Sequence, residues 1–160
     1  MRCGSQASLI FNYFGLVELV LRLFQFFDFS SSKIEGFGLG LRFPHFDEIL
    51  EKKHTVPWFE VITDDFIENG PHHKKLLKLR EDFPIALHSI GLNVGGVDNL
   101  NQTYLRKLKN LYDIFQPEII SDHLCWSAHN GKYHHDLLPI PRTKNGLENV
   151  CDRISLLQTF

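Results

Sequence analysis

An α/β fold, with parallel strands covered by helices, is what this sequence predicts from residue 36 onward. Three observations predict it. Short apolar runs alternate four times with segments whose apolar residues recur at i, i+3 and i+4. Prolines and capping residues punctuate the alternation where helices should start and stop. A 160-residue chain with 43% apolar side chains, 14 of its residues Phe, has enough apolar surface for one buried core.

The first unit pairs "GFGLGLR" (36–42) as strand with "PHFDEILEKK" (44–53) as helix, which has Pro44 near its start, acids in its first turns and lysines in its last. The glycines at 36, 38 and 40 lie inside the strand and fall one position short of a dinucleotide fingerprint. They predict close approach of strand and helix rather than a phosphate loop. The second unit has "WFEVIT" (58–63) and "GPHHKKLLKLREDF" (70–83), stopped by Pro84, with His72 and His73 expected in solvent. In the third, strand "PIALHSIGL" (84–92) leads through the loop "NVGGVDNLN" to helix "QTYLRKLKNLYDIF" (102–115), where Leu105, Leu108, Leu111, Tyr112 and Phe115 share a face. The fourth has "EIISDHL" (118–124), a long loop, and a helix through "NGLENVCDRISLLQTF" (145–160) capped by Thr143. Consecutive units of this kind imply a parallel sheet, open or closed.

Residues 1–35 form a separate apolar extension and linker. "ASLIFNYFGLVELVLRLFQFFDF" (7–29) is interrupted by Glu18, Arg22 and Asp28. These charges argue against a membrane span or signal peptide. The stretch reads as an apolar N-terminal helix packed on the domain or a partner, or as an extension never selected to fold, and "SSSKIEG" (30–36) reads as its linker.

With 17 basic and 19 acidic side chains the net charge is −2, and no Lys/Arg-rich tract is present, which argues against nucleic acid as a partner. Cys3, Cys125 and Cys151 are far apart and lack CxxC spacing. They predict neither a disulfide framework nor a sulfur-rich zinc site, and they fit a reducing compartment such as the cytoplasm. Cys125, between Leu124 and Trp126, reads as a packed residue rather than a nucleophile.

The 9 His lie between His45 and His135, among many carboxylates. In parallel βα proteins catalytic groups gather at the carboxyl ends of strands. There the sequence places His45 after the first strand, Asp64 and Asp65 after the second, His88 at the end of the third, and Asp122 with His123 at the end of the fourth. Singly, each has an ordinary explanation, a surface histidine or a helix-capping aspartate. All four strands ending in this way points to a metal centre of imidazole and carboxylate, suited to iron, manganese or zinc.

The stretches "GLGLRFPHFDEIL", "WFEVITDDF", "FPIALHSIGLNVGG", "IISDHLCWS" and "HHDLLPIPRT" stand in an order and spacing that resembles the multinuclear non-heme iron-dependent oxidases. That family includes the methanobactin biosynthetic oxidase and enzymes that modify cysteines in precursor peptides. The resemblance covers Gly36 to the last residue and implies a (β/α)8 barrel with two or three irons at its C-terminal face and oxygen as co-substrate. It implies metal binding by His45, His88 and Asp122, a ligand or outer role for Asp64 and His123, and a peptide substrate or a peptide-recognition partner protein. Asp122 stands where Glu is commoner in the family, and "TDDF" where Glu-Asn-Tyr is common.

Such a barrel takes about 250 residues, and four units supply half of it. The expectation is a partial barrel, a fragment or one part of a split assembly, without a complete iron site. Two other readings stay open: a divalent-metal isomerase or phosphodiesterase-type barrel using zinc or manganese, and a non-catalytic remnant that binds a partner through its apolar N-terminal segment.

Overall fold

Four short apolar runs become the strands of one sheet. The computed structural model describes residues 34–51, 55–68 and 70–160. Strand β1 (Leu39–Gly40) passes through a 3₁₀ turn (Phe43–His45) into helix α1 (Phe46–Leu50), and β2 (Phe59–Ile62) through a second 3₁₀ turn (Thr63–Asp65) towards α2 (Pro71–Asp82). Then come β3 (Ile85–His88), α3 (Gln102–Phe115), β4 (Ile119–Ser121), a hairpin of β5 (Trp126–His129) and β6 (Lys132–Leu138), and α4 (Lys144–Gln158). The strands lie in the order β1-β2-β3-β4, all parallel, with Phe59 opposite Ile85 and His88 opposite Ser121. This is the predicted α/β architecture, four βα units of a partial (β/α)8 barrel.

Alternation along the strands gives the sheet two unlike faces. Phe59 and Val61 of β2 and Ile85 and Leu87 of β3 pack with Leu76, Leu79, Leu111 and Phe115 of the helices into one buried cluster. Glu60, Ile62, Ala86 and His88 alternate with them and so stand on the opposite face. Each fully buried leucine or phenylalanine contributes roughly 1.5–3 kcal/mol, so the helix-covered face carries most of the stability.

Helix boundaries follow the predicted signals closely. Pro71 occupies the first turn of α2, and Thr143 caps α4, its Oγ1 accepting from Gly146 N at 3.1 Å. Asn101 caps α3 by accepting from the N–H groups of Thr103 and Tyr104, both at 3.1 Å. The far end of α3 is closed by Gln116 in a left-handed conformation (φ 45°). There Arg80 of α2 donates from Nε to Phe115 O and from Nη2 to Gln116 O, each at 2.8 Å, placing a cation on the carbonyl end of the helix.

The structure corrects several expectations. β1 pairs only with β2 and shrinks to two residues, and β4 ends at Ser121, so Asp122 and His123 leave the ladder. Tyr112 is turned outward, with Lys109 above its ring, and does not join the buried face of α3. His72 and His73 are half-buried rather than solvated: His72 stacks on Phe43 with ring centroids 4.0 Å apart, and His73 Nε2 meets Phe66 O at 2.6 Å. The expected long loop after β4 holds the β5–β6 hairpin. Its turn, Asn130-Gly131, has φ of 49° and 69°, the left-handed pair that a tight two-residue hairpin needs.

Gly38 does allow a close approach, but to Trp58 just before β2 rather than to a helix: a Cβ there would lie 2.2 Å from the Trp58 ring. Ile34–Phe160 forms one compact unit. The expected apolar helix at 7–29, most of the linker at 30–36, and Lys52 and Lys53 of the first predicted helix lie outside the described residues. Among the described residues no helix is long and apolar enough to cross a membrane.

Candidate metal centre

Parallel register brings the ends of β3 and β4 side by side, and with them two imidazoles. His88, the last residue of β3, sets its Nδ1 2.8 Å from Oγ of Ser121, its register partner on β4. His123, two residues beyond β4, sets its Nε2 2.9 Å from Nε2 of His88, the rings meeting edge to face at 75°. Two neutral imidazoles can hold this contact through one shared proton. The same spacing suits two nitrogens on one ion, since donors about 2.1 Å from a metal and at right angles to each other are about 3 Å apart. In that case His88 Nδ1–H donates to Ser121, which fixes the ring as the outer partner of a metal-ligating histidine does.

Asp122 lies between these groups in the chain, but both its oxygens are engaged by backbone. Oδ2 accepts from Leu92 N at 2.9 Å and Oδ1 from the N–H of His123. Burial raises its carboxyl above the ordinary carboxylate range, and those two N–H groups oppose the shift. Asp64, after β2, accepts at Oδ2 from the Tyr104 hydroxyl at 2.9 Å and from Ile90 N at 3.3 Å. Burial, with Asp64 adding to it, raises the Tyr104 hydroxyl well above its usual value, which keeps it a proton donor. His45 stands apart at the exposed junction before α1, its Nδ1 3.8 Å from Glu48.

Of the six residues singled out from the sequence, Asp65 is exposed at the end of its 3₁₀ turn, while His88 and His123 are brought together, with Asp122 beside them. Asp64 and His45 are held in other contacts. Among the described residues no group of three or more His, Cys, Asp or Glu is placed to hold a metal ion. The donor chemistry fits a metal in part, as two converging imidazoles with an orienting hydroxyl, and further donors are needed to close the site. Sequence reasoning missed Ser121 and Tyr104. Ser121 had a signal, its place beside Asp122 on a strand parallel to β3; Tyr104 had none apart from its position on a helix.

The loop after β3 reaches this region through Leu92, whose N–H donates to Asp122. Asn93 adopts a left-handed φ of 53°, accepts at Oδ1 from Ser127 N at 2.7 Å and Ala128 N at 3.3 Å, and donates from Nδ2 to Ala128 O at 3.1 Å. Arg153 of α4 donates to Asn93 O at 3.0 Å and Asp98 O at 2.6 Å. Loop, hairpin and α4 are thereby tied together. They border an open cleft of about 660 Å³ that includes Leu92, whose N–H holds Asp122, and Tyr133 and Val97 at its lip.

Cys125 is buried, and Gly95 N donates to its carbonyl at 2.7 Å. Burial, and then the Asp122 charge, raise its thiol above the usual range. It should accordingly resist alkylation in the folded protein and react fully in denaturant; peptide mapping after iodoacetamide treatment checks this, and rapid native labelling of Cys125 would contradict the packing.

Comparison with known proteins gives a consistent picture. Residues 36–160 match the family model described as RiPP precursor modification enzyme MbnB/TglH/ChrH. The chain is 42% identical over 131 residues to a UPF0276 protein of Acaryochloris marina, covering 82% of this chain and 48% of that protein. It is 41% identical over 127 residues to a UPF0276 protein of Anaeromyxobacter sp., covering 79% and 45%, and 41% identical over 126 residues to one of Caulobacter vibrioides, covering 78% and 45%. The chain thus spans about half the length of the curated relatives it matches. Because the family model matches residues 36–160, most of the chain, the chain belongs to the RiPP precursor modification enzyme family MbnB/TglH/ChrH.

Proposed function

We propose that this chain supplies His88 and His123, with Asp122, Asp64 and His45 as further donors, to an iron centre of an oxygen-dependent oxidase that modifies cysteine in a precursor peptide. The observation that carries the reading is the 2.9 Å approach of two Nε2 atoms from the ends of adjacent parallel strands. Iron, when bound, would supply oxygen activation and a site for a substrate thiolate. The chain's own residues do the rest. Ser121 orients the His88 ring, backbone N–H groups hold Asp122 still, and the cleft beside Leu92 accepts the peptide, alone or presented by a peptide-recognition partner protein. Further donors are needed to complete such a centre. Cys125 and Cys151 are free thiols, and a cytoplasmic setting suits both them and ferrous iron.

Elemental analysis of anaerobically purified protein, beside a His88→Ala variant, tests this. The wild-type chain is expected to retain iron and the variant to bind Fe2+ at least 10-fold more weakly. Equal iron in both would remove His88 from the site. A preference for zinc or manganese over iron would favour isomerase or phosphodiesterase chemistry, and no stoichiometric metal in either would favour a non-catalytic role.

A further inference from the structure

Beside the imidazole pair, a second side-chain network centres on Tyr104. This residue sits in the first turn of α3, half-buried, with its hydroxyl inserted beneath the ends of β2 and β3. The hydroxyl donates to Asp64 Oδ2 at 2.9 Å and lies 2.7 Å from Oγ of Ser89. A phenol has one proton, so with that proton on Asp64 the Ser89 hydroxyl must donate to Tyr104. Ser89 is fully buried and directly follows His88, and its N–H is bonded to Ser121 O at 2.7 Å. The fit leaves no slack, since a Cβ on Gly91 would lie 2.5 Å from the Tyr104 ring.

Asp64 Oδ2 is held twice, by Tyr104 and by Ile90 N, while Oδ1 has no hydrogen bond among the described residues. One oxygen is thus pinned by two donors from the third βα unit, and the other is left available as an acceptor or ligand.

We propose that Tyr104 is a positioning residue for the candidate centre, its hydroxyl locking the Asp64 carboxylate to the end of β3 so that Asp64 Oδ1 and His88 keep a fixed relation. The inference rests on the metal-centre reading above and adds to it a residue on a helix. Tyr104 never touches the metal or the peptide in this account; it acts through Asp64. Tyr104→Phe removes the hydroxyl while keeping the ring against Gly91, so the packing survives and the pin is lost.

The test is anaerobic Fe2+ titration of the full chain, followed by calorimetry or competition, for wild type, Tyr104→Phe, Asp64→Ala, the double variant, and Tyr112→Phe as a control on the exposed side of the same helix. Removing outer partners of metal ligands typically weakens binding 10- to 100-fold. Tyr104→Phe is expected to lose at least 10-fold in Fe2+ affinity, Tyr112→Phe to match wild type, and the double variant to bind no more weakly than Asp64→Ala alone, because Tyr104 has nothing to position once the carboxylate is gone. Wild-type affinity in Tyr104→Phe overturns the proposal. So do independent, multiplying losses in the double variant, which would mark a general structural role. If instead wild type and His88→Ala bind Fe2+ equally, the metal-centre reading itself fails, and the proposal with it.

Discussion

Replacing Asn93 by alanine is expected to destabilise the protein by about 3 kcal/mol or more, through two separate losses. Alanine at a φ of 53° pays the left-handed penalty that asparagine tolerates, about 1 kcal/mol. Removing the carboxamide also strips the acceptor from the buried Ser127 N–H and the donor to Ala128 O, and each unsatisfied buried group costs roughly 1–3 kcal/mol. In a domain of this size 3 kcal/mol corresponds to a fall of roughly 6–12 °C in melting temperature. Asn93→Gly, which relaxes the backbone but not the lost bonds, should fall between alanine and wild type. Thermal and urea unfolding of the three proteins checks the order. A loss under 1 kcal/mol for Asn93→Ala would mean that the loop and hairpin do not depend on this residue. The same substitution should loosen Leu92, whose N–H holds Asp122.

Phe115→Ala should be of similar or greater size, about 3–5 kcal/mol, because it opens a cavity in a well-packed core. Phe115 is fully buried at the end of α3, edge-on to Phe66 at 6.3 Å and beside the His73 ring at 5.2 Å. Its carbonyl is held by Arg80, so the backbone cannot readily collapse into the space the ring leaves. Tyr112→Ala, three residues earlier on the exposed side, should change stability by no more than about 0.5 kcal/mol. Equilibrium denaturation of both variants separates the two sites. Similar losses at each would mean that α3 buries a different face from the one described.

Much of this architecture is written in local pattern. The bounds of α3 were legible because its apolar spacing is regular, and Leu105, Leu108, Leu111 and Phe115 bury the face it predicts, although Tyr112 turns out of it. Strand ends were less legible, since they depend on how far a neighbour's ladder extends, a property of two segments rather than one. β4 looked seven residues long and is three because β3 stops pairing at His88. The hairpin carried its signal in Asn130-Gly131, but its strand β6 is polar and exposed, so apolar periodicity passed over it.

At the candidate site, strand-end position alone pointed to His88, Asp122 and His123, which the structure brings close together. What it could not give was partnership. That Asp122 spends its oxygens on backbone N–H groups, or that Asp64 answers to a tyrosine forty residues away, follows from tertiary placement and leaves no mark on local sequence. His45 closes the short 3₁₀ turn after β1 and lies exposed beside Glu48, a setting that strand-end position alone did not reveal.

The strand order β1-β2-β3-β4 has a consequence for how the molecule is made. Each strand pairs with the one synthesised just before it, and each pairing closes over a single intervening segment, so no strand waits for a distant partner. Loop closure between nearest neighbours carries a small entropic cost and shortens the exposure of unpaired edges. The sheet can therefore grow one βα unit at a time as the nascent chain emerges. His88 would be in place on β3 before His123 is made, and the imidazole pair would form only when the fourth unit docks.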